Sequence, residues 1–215
     1  VLIGERGRFT VALFRLYVSP FETAVVINSD CTFETHFEAH ANTGKRIILG
    51  HDCMISHNVY MLSGDGHAIF DVNTGDNLNS DYTKLSVRKN NIVLGDHVWC
   101  GYGAFIMNGT NVGTGSIIGA ECVLKGTYPN NCSIAGNPAK IVRKDCAWAR
   151  DMGAPGIDSI PKGYVSKTSE VKPPISGQNV LVIGGTGFSG IRLVKRLIDL
   201  GNRVTIATRG LKGDG

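Results

Sequence analysis

Between Leu94 and Tyr128 the chain repeats itself every six residues. The blocks open on Leu94, Cys100, Ile106, Val112, Ile118 and Leu124, so the first position is always apolar. The second is glycine in four of the six blocks, at Gly95, Gly101, Gly113 and Gly119. The fifth is Val98, Ala104, Thr110, Ser116, Cys122 and then Tyr128, small until the last. A period of six matches neither an α-helix nor a flat half-buried strand. It fits a chain that turns a corner every six residues, with a short strand on each flat side. Three sides close one coil of a parallel β-helix. The apolar first residue then points inward and stacks on its equivalent one coil away. The small fifth residue fits inside near a corner, and glycine at the second position is expected to permit the backbone of the turn.

The same period starts earlier. From Val25 the first positions read Val25, Cys31, Phe37, Thr43, Leu49, Ile55 and Met61, with Ser29, Thr35, Ala41, Ile47, Cys53 and Val59 at the fifth. This earlier array is less regular but is expected to keep one phase. Met61 and Leu94 are 33 residues apart, which is not a multiple of six, so the chain leaves the coil between them. That excursion, Leu62 to Asn91, is polar and rich in turn residues; a long irregular loop in a compact fold is usually functional or disordered. Residues 1–24 are ambiguous between strand and short helix and are expected to cap the stack. The β-helix is expected over residues 25–151. Residues 152–178, with four prolines, read as a linker.

Residues 179–215 differ in character. Asn179-Val-Leu-Val-Ile is an apolar run, as in a buried parallel strand. Gly184, Gly187 and Gly190 follow in G-x-x-G-x-x-G, then Ile191, Val194, Leu197 and Ile198 at helical spacing, then a second run from Arg203. The unit reads as a truncated Rossmann-type βαβ, whose glycines let a pyrophosphate approach a helix N-terminus. A glycine-rich turn that only packs helix on strand is the plainer alternative.

Charged residues make up 19% and the net charge is +4, with no dense basic run, so nucleic acid is not an expected partner. No apolar run reaches membrane-spanning length. The six cysteines show neither a CxxC pair nor a secreted framework; they read as buried thiols of a cytoplasmic protein. The chain begins with Val rather than Met, so its natural start is expected to lie further upstream.

His67 is the first candidate for chemistry. It lies in a glycine-flanked loop, and imidazole can take a proton from a hydroxyl near neutral pH. Asp65 could hold its other ring nitrogen. A solvent-exposed histidine and a turn-forming aspartate are the alternatives. His36 and His40 are four apart, but on six-residue coils that spacing puts them on different sides, so no metal site is expected. Lys140, Arg143 and Lys144 form a basic exit suited to nucleotide phosphates, or merely a solvated cluster.

Ile134-Ala-Gly-Asn-Pro-Ala-Lys-Ile-Val-Arg, preceded by Val98-Trp-Cys-Gly and Ile118-Gly-Ala-Glu-Cys-Val-Leu, resembles the hexapeptide-repeat acyltransferases. Ser63-Gly-Asp-Gly-His-Ala-Ile-Phe-Asp resembles the loop of the branch that modifies capsule and lipopolysaccharide. The match covers roughly Val25 to Trp148. It implies a left-handed parallel β-helix, a homotrimer with sites between neighbours, and acetyl-CoA as donor. It implies His67 as general base on a sugar hydroxyl, with direct acetyl transfer. It places Tyr102 and Ala120 along the CoA arm, Lys125, Lys140 and Arg143 towards its outer end, and Trp99 in the cleft wall. Cys100, Tyr102, Met107-Asn108 and Lys125-Gly126 depart from the usual pattern. Gly-Gly-Thr-Gly-Phe-Ser-Gly in turn resembles the start of NAD(P)-dependent epimerases and dehydratases, with Arg209 placed to meet a 2′-phosphate. No Tyr-x-x-x-Lys pair follows, so NAD(P) binding is expected only of a complete domain. The expected function is O-acetylation of a surface polysaccharide or its precursor. N-acetylation of an amino sugar and a non-catalytic scaffold are the alternatives.

Overall fold

The computed structural model describes residues 1–10, 13–18, 23–79, 91–169, 179–183 and 203–207. The chain divides into two units, Val1–Glu170 and Val171–Gly215.

The first unit is a parallel β-helix of six coils. Coil one holds β1 (Leu2–Ile3), β2 (Arg8–Phe9) and β3 (Phe14–Val18). Coil two holds β4 (Ala24–Ile27), β5 (Thr32–Phe33) and β6 (Phe37–Ala41). Coil three holds β7 (Arg46–Leu49), β8 (Met54–Ile55) and β9 (Val59–Leu62). After the excursion, coil four holds β10 (Ile92–Leu94), β11 (Trp99–Cys100) and β12 (Phe105–Met107). Coil five holds β13 (Asn111–Val112), β14 (Ile117–Ile118) and β15 (Val123–Leu124). Coil six holds β16 (Thr127–Tyr128) and β17 (Ser133–Ala135), and β18 (Lys140–Arg143) folds back antiparallel on β17. Every third strand pairs, giving three faces that begin with β1, β2 and β3. Residues 1–24, expected as a cap, thus supply the first coil.

Each side turns two residues inward, two positions apart, because side chains alternate along a strand. Val98 with Cys100, Ala104 with Ile106 and Cys122 with Leu124 are all buried. The later array therefore holds its expected phase: Trp99 pairs with Ile117 and Phe105 with Val123, steps of 18. The earlier array does not. Val25 pairs with Ile47 and Ile27 with Leu49, a step of 22. Four extra residues at the turn Asn42–Lys45 shift the phase, so Ile27, Phe33 and Ala39, not Val25, Cys31 and Phe37, are equivalent to Leu49, Ile55 and Met61. A shorter step explains Tyr128. It pairs with Val112, only 16 residues back, and so occupies a first position where a large ring fits.

The second-position glycines serve clearance between coils rather than turn dihedrals. A Cβ on Gly95 would lie 2.7 Å from Thr114 N, and one on Gly101 2.7 Å from Ala120 N. The left-handed backbone falls two positions later. At the corner between faces one and two it is taken by Arg6, Asp30, Asp52, His97, Gly115 and Asn131. At the corner between faces two and three it is taken by His36, Asn58, Gly103 and Glu121. Asn and Asp tolerate this region better than most side chains.

Residues 145–169 form a strap along the first corner. Cys146 N donates to Asn131 O in coil six (3.0 Å). Trp148 stacks on His97 in coil four, with centroids 4.0 Å apart. Arg150 donates to Asp52 Oδ1 and Thr32 Oγ1, both at 2.8 Å, in coils three and two. The chain then turns through two short 3-10 segments, Ile157–Ser159 and Lys162–Tyr164, and returns. Tyr164 covers the other side of the His97 ring at 4.7 Å. Asn131 donates to Tyr164 O, and Asn130 and Asn131 hold Ser166, Thr168 and Ser169. The described part of the expected linker, up to Ser169, is therefore bound to the β-helix.

In the second unit β19 (Asn179–Ile183) and β20 (Arg203–Ala207) pair in parallel. The expected crossover, with Gly184, Gly187 and Gly190, and the expected Arg209 lie outside the described residues. Among the described residues no helix is long and apolar enough to cross a membrane. All six cysteines are free thiols.

Candidate active site

The excursion leaves face three after β9 and returns to face one at β10, so it stands on the corner between them. Its described part, up to Asn79, is a small hairpin. Phe70 bridges Asn77, and Leu78 N donates to Ile69 O (2.7 Å). Asp71 Oδ1 accepts from Asn73 N and Thr74 N at the tip (2.7 and 3.1 Å), which holds its carboxyl below the usual range. His67 is exposed at the hairpin base.

One side chain fixes the backbone around His67. Asn79 Nδ2 donates to Asp65 Oδ2 (3.0 Å) and to His67 O (2.8 Å), and its Oδ1 accepts from Ile69 N (2.9 Å). Asp65 is thus engaged by Asn79, where the sequence reading set it against the His67 ring. Asn79 was not singled out in the sequence. The signal that could have found it is the run of Asx turns, since Asn side chains commonly bind nearby backbone.

Tyr102 and Ala120 occupy equivalent places, each two residues beyond the paired Cys100 and Ile118, on the corner between faces two and three. Both are exposed. The Tyr102 hydroxyl accepts from Asn58 Nδ2 (2.9 Å), which orients the ring. Trp99 is half-buried on face two, where its Nε1 donates to Ser56 Oγ (3.2 Å) and its ring lies 6.0 Å from Trp148. Lys125 and Lys140 are brought near each other at the end of the stack. The Tyr128 hydroxyl lies 3.3 Å from Lys125 O and 3.2 Å from Ala139 O, within donating distance of both. Lys140 and Arg143 are exposed on β18. Within one chain these residues are spread out: Tyr102 and Ala120 lie on the corner between faces two and three, Trp99 on face two and Lys140 and Arg143 on β18, while Lys125 lies at the last turn of the corner from which the His67 hairpin rises.

Two charged clusters were not foreseen. On face three the Glu38 carboxylate accepts from His40 Nε2 (3.0 Å) and His36 Nε2 (3.2 Å), and the His40 hydrogen bond contributes most to lowering its pKa. His36 lies at the corner just before β6 and His40 on β6, and both rings reach the one carboxylate of Glu38. At the first corner, His97 Nδ1 lies 2.7 Å from Asp52 Oδ2. Burial pushes the Asp52 carboxyl up, but hydrogen bonds from His97 and Arg150 outweigh it, and its pKa is lowered.

No family model matches the chain. Curated relatives do. A polysialic acid O-acetyltransferase of Escherichia coli O1:K1 is 36% identical over 126 residues, 59% of this chain and 38% of its own length. A putative lipopolysaccharide biosynthesis O-acetyltransferase of Escherichia coli K12 is 30% identical over 60% of this chain and 65% of its own. A probable macrolide acetyltransferase of Lysinibacillus sphaericus is 30% identical over 54% of this chain and 71% of its own. The chain belongs to the hexapeptide-repeat acetyltransferases. Its fold is like that of a solved polysialic acid O-acetyltransferase, OatWY, with TM-score 0.52 and 24% identity over 74% of this chain and 81% of that one. The chain spans less than two thirds of the first two Escherichia coli relatives. Within the acetyltransferase family, the three parallel faces are in keeping with a left-handed β-helix.

Proposed function

We propose that this chain is an acetyl-CoA-dependent O-acetyltransferase that acts on a sugar hydroxyl of a surface polysaccharide or its precursor. The observation that carries the reading is the division of the corners. The strap covers the corner between faces one and two, and the His67 hairpin rises from the corner between faces three and one. Among the described residues the remaining corner is bare and presents Tyr102 and Ala120 along successive coils. A donor arm laid there meets backbone amides at each coil, and a hairpin from a neighbouring copy brings His67 to it. A homotrimer closes this arrangement, because each copy gives a hairpin and receives one. The relatives named for O-acetylation of polysialic acid and lipopolysaccharide support the acceptor class.

In this reading a His67 ring nitrogen accepts the acceptor hydroxyl proton while that oxygen attacks the thioester carbonyl. Amides along the coil stabilise the charge that develops on the carbonyl oxygen. The C–S bond breaks, the new ester leaves, and the imidazolium returns its proton to the CoA thiolate. Lys125, Lys140 and Arg143 supply cations for the donor phosphates, and Trp99 walls the cleft. Asp65 acts on the His67 backbone through Asn79.

Thiol release from acetyl-CoA, measured over a panel of sugars for the wild type and His67→Ala, tests the proposal. A loss of 10²- to 10⁴-fold on removing His67 is expected of a general base. Equal turnover by both proteins rules out that role. Product stability in mild base separates an ester from an amide.

A further inference from the structure

A cleft of about 480 Å³ lies at the first corner, across coils one to three, and its lining includes Arg6, Arg8, Asp30, Asp52 and Arg150. Its size is that of a small-molecule site. Its two carboxylates are already matched. Arg6 grips Asp30 with two hydrogen bonds (2.7 and 2.8 Å) and lies 3.6 Å from Glu5. Arg150 holds Asp52 Oδ1, Thr32 Oγ1 and the carbonyls of Asp30, Asp52 and Cys53. So many fixed acceptors lock the Arg150 guanidinium in place. Arg8 is different. It is exposed on β2, and its guanidinium has no hydrogen-bond or ion-pair partner among the described residues. Of the three guanidiniums that line the cleft, Arg8 is thus the one without a bonded carboxylate among the described residues.

We propose that this cleft is a second subsite, separate from the transfer site, which binds the carboxylate or phosphate of an acidic glycan. Arg8 makes the charge-assisted contact, and the planar guanidinium suits a two-oxygen anion. The saccharide body of the ligand rests on the proposed function, but the anion recognition does not. The wall at Tyr102 and Ala120 is on another corner, so an extended acceptor held here is anchored without occupying the donor groove.

Calorimetric titration of the full chain tests the subsite with three probes: a uronic acid tetramer, its carboxyl-reduced neutral counterpart, and inorganic phosphate. The uronate is expected to bind at least tenfold tighter than the neutral tetramer. Arg8→Ala should weaken uronate binding about tenfold, the scale of one charge-assisted hydrogen bond, and leave acetyl-CoA binding within twofold. Arg8→Lys should restore part of the loss. Equal binding of the charged and neutral tetramers, or no effect of Arg8→Ala, overturns the proposal. Phosphate binding as tightly as the uronate overturns the saccharide assignment. The titration is repeated with His67→Ala, in which uronate binding should persist whatever happens to turnover. Failure of the base and failure of the subsite are thus read separately.

Discussion

Gly101→Ala tests whether the second-position glycine is a matter of clearance. The added Cβ would stand 2.7 Å from Ala120 N and 2.9 Å from Ile118 O, against ordinary contact from 3.4 Å. Coils four and five must then part by about 0.7 Å at this corner, too much for close-packed layers to absorb freely. Two inter-coil hydrogen bonds lie in the gap, Gly101 N to Ile118 O and Glu121 N to Tyr102 O, both 2.7 Å. Weakening both costs about 2 kcal/mol, and the strain of overpacking adds about 1–3 kcal/mol. We expect a loss of about 3–5 kcal/mol in urea unfolding, or a midpoint on the order of 1.5–2.5 M lower for a slope near 2 kcal/mol per M. Gly126→Ala is the control, since its Cβ meets nothing within 4 Å but its φ is +112°. That substitution should cost only the dihedral strain, about 1–3 kcal/mol. If Gly101→Ala is the milder of the two, or unfolds like the wild type, the clearance argument is wrong. The same variant should raise the KM for acetyl-CoA, because Tyr102 and Ala120 border the gap.

Asn79→Ala removes the three hydrogen bonds around His67, so kcat should fall about tenfold with the KM for acetyl-CoA unchanged; steady-state kinetics decides, and a KM effect alone would assign Asn79 elsewhere. The lowered Asp52 pKa makes its stabilising contribution complete above the unfolded value of about 3.9 and lost as pH falls through the folded value. Thermal unfolding should therefore show an acid-side decline, and Asp52→Asn should flatten it. Trp148→Ala should destabilise the β-helix by about 3–5 kcal/mol, as for other buried aromatics, with strap residues 146–169 showing faster amide exchange. Five of the six cysteines are buried, and burial pushes the Cys100 thiol well up, so a thiol reagent should titrate at most Cys146 in the native protein and all six in denaturant.

The repeat made the coils legible, but not their phase throughout. Because each side buries two residues two positions apart, Val25 and Ile27 are equally apolar, and a four-residue insertion at Asn42–Lys45 slips by unnoticed. Tyr128 announced its own change of register by being too large for a fifth position. Glycine misled in another way. The conspicuous Gly95 and Gly101 serve close approach, while the left-handed turns fall two positions later, on Gly103 and Gly115 as well as on Asp30, Asp52 and Asn131, residues a turn-based reading can anticipate. That His67 stands on an excursion from the coil was readable; the hydrogen bonds of Asn79, twelve residues away, were not, because they depend on how the hairpin closes. The strap was hidden behind proline-rich composition, and its partners, Asp52 and His97, lie about 50 to 100 residues upstream.

A stack of coils has contacts only between neighbours, so its coils could in principle fray one at a time from either end. The strap changes that. By joining Asn131 in coil six to Thr32 in coil two through Trp148 and Arg150, it makes the loss of an end coil felt near the other end. The domain should therefore unfold in a single cooperative step, and cutting the strap should turn that step into a gradual unzipping.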